Sequence, residues 1–187
     1  MIILVDEVTC GIGRTGKWFG YMHYNLNPHI IAVGKGIGNG YPVSAVIIEA
    51  STSLEAEKVN FHFAQSHQND PFGCRIAYEV LSKIEQCDII SKSNTVAKHF
   101  LKKYHELQHE LPMIFEIRSI GLLICIELSD SISSSTMIEI EKKLFHQGFI
   151  VGVKPKERVI RTYCPLIVTP EMVDRYINTL RDILLTL

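Results

Sequence analysis

The stretch "VDEVTCGIGRTG", residues 5–16, decides how the first part of the chain folds. It continues an apolar run, residues 2–5, that is typical of a β-strand, and two acids, Asp6 and Glu7, end that run. A run without polar alternation indicates a parallel strand buried on both faces. The acids therefore stand at the carboxyl end of a strand, where open α/β sheets bind their ligands.

The glycines of this stretch, residues 11–16, also fit the G-x-G-x-x-G phosphate loop of dinucleotide-binding proteins. That loop needs its first glycine directly after the strand and a helix that begins at its last glycine. Here residues 6–10 intervene, and residues 17–28 have no helical stripe. No acid follows about twenty residues later at the end of a second strand, where it would bind a ribose. A dinucleotide-binding domain is therefore only a distant alternative.

A second stretch, "GKGIGNGYP" at residues 34–42, follows the apolar run 29–33 and places Lys35 between two glycines. Glycines beside the lysine would let a planar group approach its ammonium closely. The P-loop interpretation fails because neither the G-x-x-x-x-G-K spacing nor a following Ser or Thr is present. A single lysine in such a loop more often points to water. A carboxylate and a lysine at two strand ends, however, lie where α/β sheets bind ligands. Pyridoxal phosphate needs a lysine amine for its Schiff base and a carboxylate that keeps its pyridine nitrogen protonated.

Residues 4–46, from "LVDEVTCGIGRTG" to "GKGIGNGYPVSAV", resemble the cofactor-binding centre of the class III pyridoxal-phosphate aminotransferases. Members of this family act on ornithine, acetylornithine, 4-aminobutyrate and other ω-amino compounds. The resemblance implies an α/β, fold-type-I transferase. Residues 1–85 would form part of the large domain, with a mostly parallel sheet, and residues 86–187 a small C-terminal α+β domain. The resemblance also implies ping-pong transfer of an amino group from an amino acid or ω-amino donor to a 2-oxo acid.

The resemblance assigns roles to single residues of the cofactor site. Asp6 would pair with the pyridine nitrogen, Val8 would pack on one face of the ring, and Lys35 would form the imine and then move the proton. Thr9 stands where the family commonly has a glutamine that reaches the ring hydroxyl. Ser66 stands where a threonine usually contacts the cofactor phosphate across a dimer interface. A homodimer with a shared active site is therefore expected.

The C-terminal part of the chain adds a candidate substrate residue. "IRTYCP" resembles the segment whose arginine binds a substrate carboxylate, so Arg161 is that candidate, and a planar guanidinium suits the bidentate task. Arg118 matches a small-domain strand and is expected to be structural. His67 is expected to pack rather than to bind a metal, and no metal site is expected elsewhere.

Composition limits the partners and the location of the protein. The chain has 187 residues, of which 47% are hydrophobic, and a formal net charge of −1, which gives no basic face for nucleic acid or an anionic membrane. Its five cysteines are scattered and form no C-x-x-C pair, so neither a disulfide framework nor a zinc site is indicated. No apolar run approaches the roughly 18 residues of a membrane span, and the start lacks a basic n-region. A cytoplasmic location is expected.

The resemblance covers only the C-terminal part of family members, which are considerably longer. We therefore expect either a fragment or a start placed inside a longer reading frame. The turn that supplies most phosphate contacts and the aromatic residue that stacks on the ring would be absent. The alternative to an active aminotransferase is thus a catalytically inactive fragment that lacks the N-terminal half of the cofactor site.

Periodicity and caps predict the remaining elements. A third strand is expected at residues 43–48, and a strand pair should turn near Gly121. Helices are expected to begin after Asp70, near Ile89, at Ser133 and at Thr169-Pro170. Two further strands are expected in "FIVGV" and "RVIRTY".

Overall fold

The computed structural model describes residues 1–187. The chain forms two compact units, residues 1–90 and 91–187, and each is described by itself. None of the helices combines the length and the apolar character needed to cross a membrane.

The first unit contains a three-stranded sheet of β1 (Leu4–Asp6), β2 (Ile30–Val33) and β3 (Ala45–Ile48), in the order β1-β2-β3. β1 pairs with β2 in parallel, with Asp6 opposite Ala32. β3 pairs with β2 antiparallel. All three strands occur where the sequence predicts them.

The predicted burial of β1 is wrong in this chain. Leu4 is 60% exposed, and the preceding Ile2 is 64% exposed. β3 is exposed at all four positions, whereas Ile31 and Val33 of the central strand are buried. The apolar residues of β1 suit it to burial between other elements. In this sheet, however, β1 is an edge strand and has a neighbouring strand on one side only.

Two α-helices follow in this unit, α1 (Ala50–Lys58) and α2 (Pro71–Gln86). The sequence does not predict α1, because it has no apolar stripe, and none of its residues is buried. The predicted start of α2 is confirmed: Asp70 Oδ2 accepts a hydrogen bond from Gly73 N at 2.8 Å, and Pro71 opens the helix. An aspartate cap satisfies one of the free N–H groups of the first turn.

The second unit combines three helices with a four-stranded antiparallel sheet of order β4-β5-β7-β6. Its elements are α3 (Ile89–Glu110), which begins at the unit boundary, β4 (Ile114–Ile120), β5 (Leu123–Leu128), α4 (Ser134–His146), β6 (Gly152–Lys154), β7 (Val159–Thr162) and α5 (Pro170–Leu185). Side chains cap two of these helices: Ser133 Oγ accepts from Thr136 N at 3.1 Å, and Thr169 Oγ1 accepts from Met172 N at 3.4 Å.

One face of this sheet packs into the core of the second unit. Side chains alternate along a strand, so Ile124 and Ile126 of β5 are buried in the core, while Cys125 between them lies on the opposite face. We call that opposite side the outer face. Cross-strand pairing places Arg118, Cys125, Arg161 and Gly152 in one row across it.

A bidentate ion pair gives this unit a pH dependence that can be measured. Arg181 Nε donates to both carboxylate oxygens of Glu110 at 2.8 Å, and Arg181 Nη2 donates to Oε1 as well. This hydrogen bonding lowers the pKa of Glu110 below its ordinary value of 4.5. Since the folded state has the lower pKa, the stabilisation is present above pH 4.5 and is lost as pH falls through the folded pKa. We expect Arg181→Gln to lower the free energy of unfolding slightly at pH 7 and by less at pH 3. Urea unfolding at both pH values measures this, and an equal effect at both would contradict it.

Candidate active site

The parallel pairing of β1 and β2 brings the predicted carboxylate and lysine to one edge of the sheet. Asp6 lies opposite Ala32, and Lys35 follows just beyond the end of β2. The Cys10 thiol reports on the same region: its pKa is raised by burial and by the carboxylates of Glu7 and Asp6, and lowered in part by Lys35. Asp6 and Lys35 therefore both lie within electrostatic reach of one thiol.

The backbone of Lys35 has an uncommon conformation. Its φ is +43°, in the left-handed region, which costs a non-glycine residue roughly 1–2 kcal/mol. The residue opens a short 3-10 turn, Lys35–Ile37, and its carbonyl accepts hydrogen bonds from Gly38 N and Asn39 N, both at 3.1 Å. Such conformations persist only where the surroundings fix them, and they concentrate at functional sites. The exposed Lys35 side chain ends in a hydrogen bond from Nζ to Thr9 Oγ1 at 2.6 Å.

The residues around Asp6 form a tight turn at the end of β1. The exposed Asp6 carboxylate accepts a hydrogen bond from Val8 N through Oδ1 at 3.0 Å. Val8 is half-buried and lies against the end of β2, because a Cβ on Gly34 would be only 3.3 Å from Val8 Cγ1. Gly34 therefore allows the two loops that carry Asp6 and Lys35 to approach each other.

Glu7 is a structural residue that sequence reasoning did not identify. It is 3% exposed, and its carboxylate accepts hydrogen bonds from Gly20 N at 2.9 Å and Tyr21 N at 2.8 Å. Its backbone carbonyl accepts from Gly11 N at 2.8 Å. The sequence signal that could have identified Glu7 was the pair of neighbouring acids. Side chains alternate at a strand end, so Asp6 and Glu7 point to opposite sides. Glu7 thus fixes the loop that follows the catalytic candidate Asp6.

The loop at residues 11–16 does not open a helix. The next helical element is the short 3-10 helix Gly20–His23, so the dinucleotide alternative lacks the helix terminus that would bind a pyrophosphate. Instead the loop packs on the lysine segment. Ile12, buried and at a φ of +56°, lies so close that a Cβ on Gly36 would be 3.3 Å from Ile12 Cβ.

Neutralising Glu7 should destabilise the first unit. In Glu7→Gln one carboxylate oxygen is replaced by an amide NH₂, which would face a backbone N–H. A hydrogen bond to a charged group contributes about 1.5–3 kcal/mol, so we expect a loss of that size in the free energy of unfolding. Exposed Glu57 on α1 offers the matched control, Glu57→Gln. Equal unfolding curves for the two variants would show that the Glu7 carboxylate does not hold the loop.

Arg161 lies on the outer face of the second unit's sheet, and its guanidinium has unused hydrogen-bonding capacity. Its Nε is buried and has no hydrogen-bond partner. Across the strand pair, a Cβ on Gly152 would be 3.5 Å from both Nε and Nη2, so the glycine leaves space beside the guanidinium. The guanidinium carbon is 5.5 Å from the centroid of the Tyr163 ring. Arg118, in contrast, pairs with Glu116 and Glu127, as expected of a structural residue.

Ser66 and His67 lie in the segment between α1 and α2. Ser66 is exposed and begins a turn over residues 66–69, which local backbone hydrogen bonds close. The structure does not bring it into the group of Asp6, Thr9 and Lys35. His67 is also exposed, so the expectation that it packs is wrong within this chain.

Metal ligands do not cluster in this structure. No group of three or more His, Cys, Asp or Glu side chains is arranged to hold a metal ion, and none of the five cysteines forms a disulfide.

Comparison with known proteins identifies the family. The family model "Aminotransferase class-III" matches residues 1–184. The chain is 31% identical to an acetylornithine aminotransferase of Methanocaldococcus jannaschii over 98% of its own length and 44% of the relative's. It is 28% identical to a leucine/methionine racemase of Thermococcus litoralis over 96% of its length and 41% of the relative's. The structure of a Bacillus anthracis aminotransferase superposes on this chain with a TM-score of 0.92 and 28% identity. The superposition covers the whole of this chain and 45% of the Bacillus anthracis chain.

The chain thus spans less than half the length of the relatives it matches. The matches confirm the family resemblance and the fold type expected from the sequence. Class III aminotransferases depend on pyridoxal phosphate, as expected. The chain belongs to the class III aminotransferases.

Proposed function

We propose that this chain supplies the lysine and the ring-nitrogen carboxylate of a pyridoxal-phosphate site in a protein that transfers amino groups. The donor would be an amino acid or an ω-amino compound, the acceptor a 2-oxo acid, and the kinetics ping-pong. One observation carries the proposal: the Lys35 amine and the Asp6 carboxylate share the carboxyl edge of the parallel pair β1-β2. When bound, the cofactor withdraws electrons from the substrate carbon through its protonated ring.

The residues at this edge of the sheet fit that cofactor. The Lys35 amine is exposed and has a neutral hydroxyl as its partner, so no carboxylate has to be displaced from that contact before it reacts. The exposed Asp6 would hold the proton on the ring nitrogen, and Val8 would pack on one ring face. Lys35 Nζ would attach the cofactor and then carry the proton to and from the substrate carbon.

Two further residues, Ser66 and Arg161, lie outside this group and have proposed roles of their own. The exposed Ser66 hydroxyl is proposed to contact the cofactor phosphate of a neighbouring subunit, so the protein would be a homodimer. Arg161 would bind the substrate carboxylate, and its unpartnered buried Nε supports this role. The protein would be cytoplasmic, which five cysteines without a disulfide support.

Arg161→Lys should discriminate between classes of amino donor. Lysine keeps the charge but not the planar, bidentate geometry. Loss of one hydrogen bond to a charged group corresponds to a roughly 10- to 150-fold rise in KM for donors that carry a carboxylate. Donors without a carboxylate should keep their KM. Steady-state kinetics with both donor types measures this, and an equal rise for both would assign Arg161 to structure.

The reaction type needs its own test, because one relative is a racemase. With pyridoxal phosphate and an amino donor but no 2-oxo acid, transamination should yield at most one equivalent of oxo product per Lys35. Subsequent addition of a 2-oxo acid should release an equivalent of new amino acid. Racemised donor without any oxo product would contradict amino-group transfer.

A second candidate function is that the 187 residues alone bind the cofactor weakly and turn over nothing. Two observations favour it: the chain covers only 44–45% of its aminotransferase relatives, and β1 and β3 expose apolar side chains. A lysine adduct without either half-reaction would select this candidate. Both half-reactions in the purified chain would exclude it.

A further inference from the structure

Thr9 holds the end of the Lys35 side chain. Lys35 Nζ donates to Thr9 Oγ1 at 2.6 Å, although both residues are exposed. An exposed lysine normally extends into water, because fixing its side chain costs considerable rotamer entropy. A short contact between two exposed side chains therefore needs support from the backbone on both sides.

That support is present at both residues. The left-handed Lys35 is fixed by the two hydrogen bonds that its carbonyl accepts. Thr9 directly follows the turn in which Asp6 Oδ1 accepts from Val8 N, and its loop is tied to the buried Glu7. The two side chains thus meet because their backbones are fixed, and not because either side chain is packed.

We propose that Thr9 is a positioning residue for the Lys35 amine. This rests on the proposed function of Lys35. In the family that the chain resembles, the position of Thr9 commonly holds a longer glutamine, which reaches the ring hydroxyl of the cofactor. Here the shorter threonine bonds to the amine itself and keeps it at the sheet edge where Asp6 ends β1.

A hydroxyl suits this role in both protonation states of the amine. Its oxygen accepts from a charged ammonium, and its O–H can donate to the lone pair of a neutral amine. Thr9 can therefore keep Nζ in place when the amine loses the proton that it must lose before it attacks an aldehyde. Thr9 can also keep Nζ in place when the amine is released from the cofactor again.

Two substitutions separate the hydroxyl from the rest of the side chain. Thr9→Val keeps the branched shape and removes the hydroxyl, while Thr9→Ser keeps the hydroxyl and removes the methyl group. We would mix each variant with pyridoxal phosphate, trap the adduct with borohydride at timed intervals, and quantify the Lys35 peptide by mass spectrometry. Thr9→Val should slow adduct formation about 10-fold or more, which is the effect of one hydrogen bond to a charged group. Thr9→Ser should stay within about threefold of the wild type, since the hydrogen bond is kept.

A second measurement does not require the cofactor. NMR relaxation of the ¹³C-labelled lysine ε-methylene groups reports how strongly each side chain is held. In the wild type and in Thr9→Ser, the Lys35 methylene should be more ordered than that of exposed Lys156. In Thr9→Val it should become as mobile as that of Lys156.

The outcomes are distinct. Wild-type adduct rates and unchanged Lys35 order in Thr9→Val would overturn the proposal, as would equal losses in Thr9→Val and Thr9→Ser. If the wild type forms no Lys35 adduct, the function proposed for Lys35 fails. In that case the relaxation data still decide whether Thr9 holds the amine.

Discussion

Lys35→Ala is expected to abolish covalent attachment of pyridoxal phosphate to this protein. The amine is the group that condenses with the cofactor aldehyde, and alanine has no nucleophile to replace it. Borohydride reduction followed by peptide mapping should find the cofactor on the segment 34–42 of the wild type and nowhere in the variant. The visible absorbance of the lysine-linked cofactor should disappear as well.

A second lysine of the same unit provides the control. Lys17 donates to Met22 O at 2.9 Å and has no role in the proposed site. Lys17→Ala should therefore retain the adduct on Lys35 at the wild-type level. An adduct that survives in Lys35→Ala would mean that the imine lysine has been misassigned.

Asp6→Asn is expected to reduce turnover far more than cofactor occupancy. Asparagine keeps an Oδ1 that can accept from Val8 N, so the turn should be retained. It is neutral, however, and cannot hold the proton on the ring nitrogen. A hydrogen bond to a charged group contributes about 1.5–3 kcal/mol, which corresponds to roughly 10- to 150-fold if its loss appears wholly in the barrier.

The measurement compares kcat with the fraction of Lys35 that carries trapped cofactor. Asp182→Asn, at an exposed aspartate of α5, is the matched control and should change neither quantity. Wild-type kcat in Asp6→Asn would remove the proposed role of the carboxylate. An equal fall in kcat and occupancy would assign Asp6 to cofactor binding alone.

Local sequence signals predicted most of the secondary structure. Asp70, Ser133 and Thr169 mark helix starts because their side chains accept hydrogen bonds from the free N–H groups of a helix N-terminus. α1 was not predicted because no residue of it is buried, so no apolar period marks it. The burial of β1 was predicted wrongly because strand composition cannot show how many neighbours the strand has in this chain.

The candidate site was predictable in part. Asp6 and Lys35 end two adjacent strands, and parallel pairing brings such ends together without further information. The contact of Lys35 with Thr9 was not predictable, because it depends on a left-handed backbone at a lysine, which sequence patterns do not indicate. The same holds for Glu7, whose two donors, Gly20 and Tyr21, follow a loop without a repeating pattern.

The most direct test of the account is a crystal structure of this protein with pyridoxal phosphate bound. We expect a covalent bond from Lys35 Nζ to the cofactor and the Asp6 carboxylate within hydrogen-bond distance of the ring nitrogen. A ring attached to another lysine, or a ring nitrogen that faces a group other than Asp6, would contradict the account.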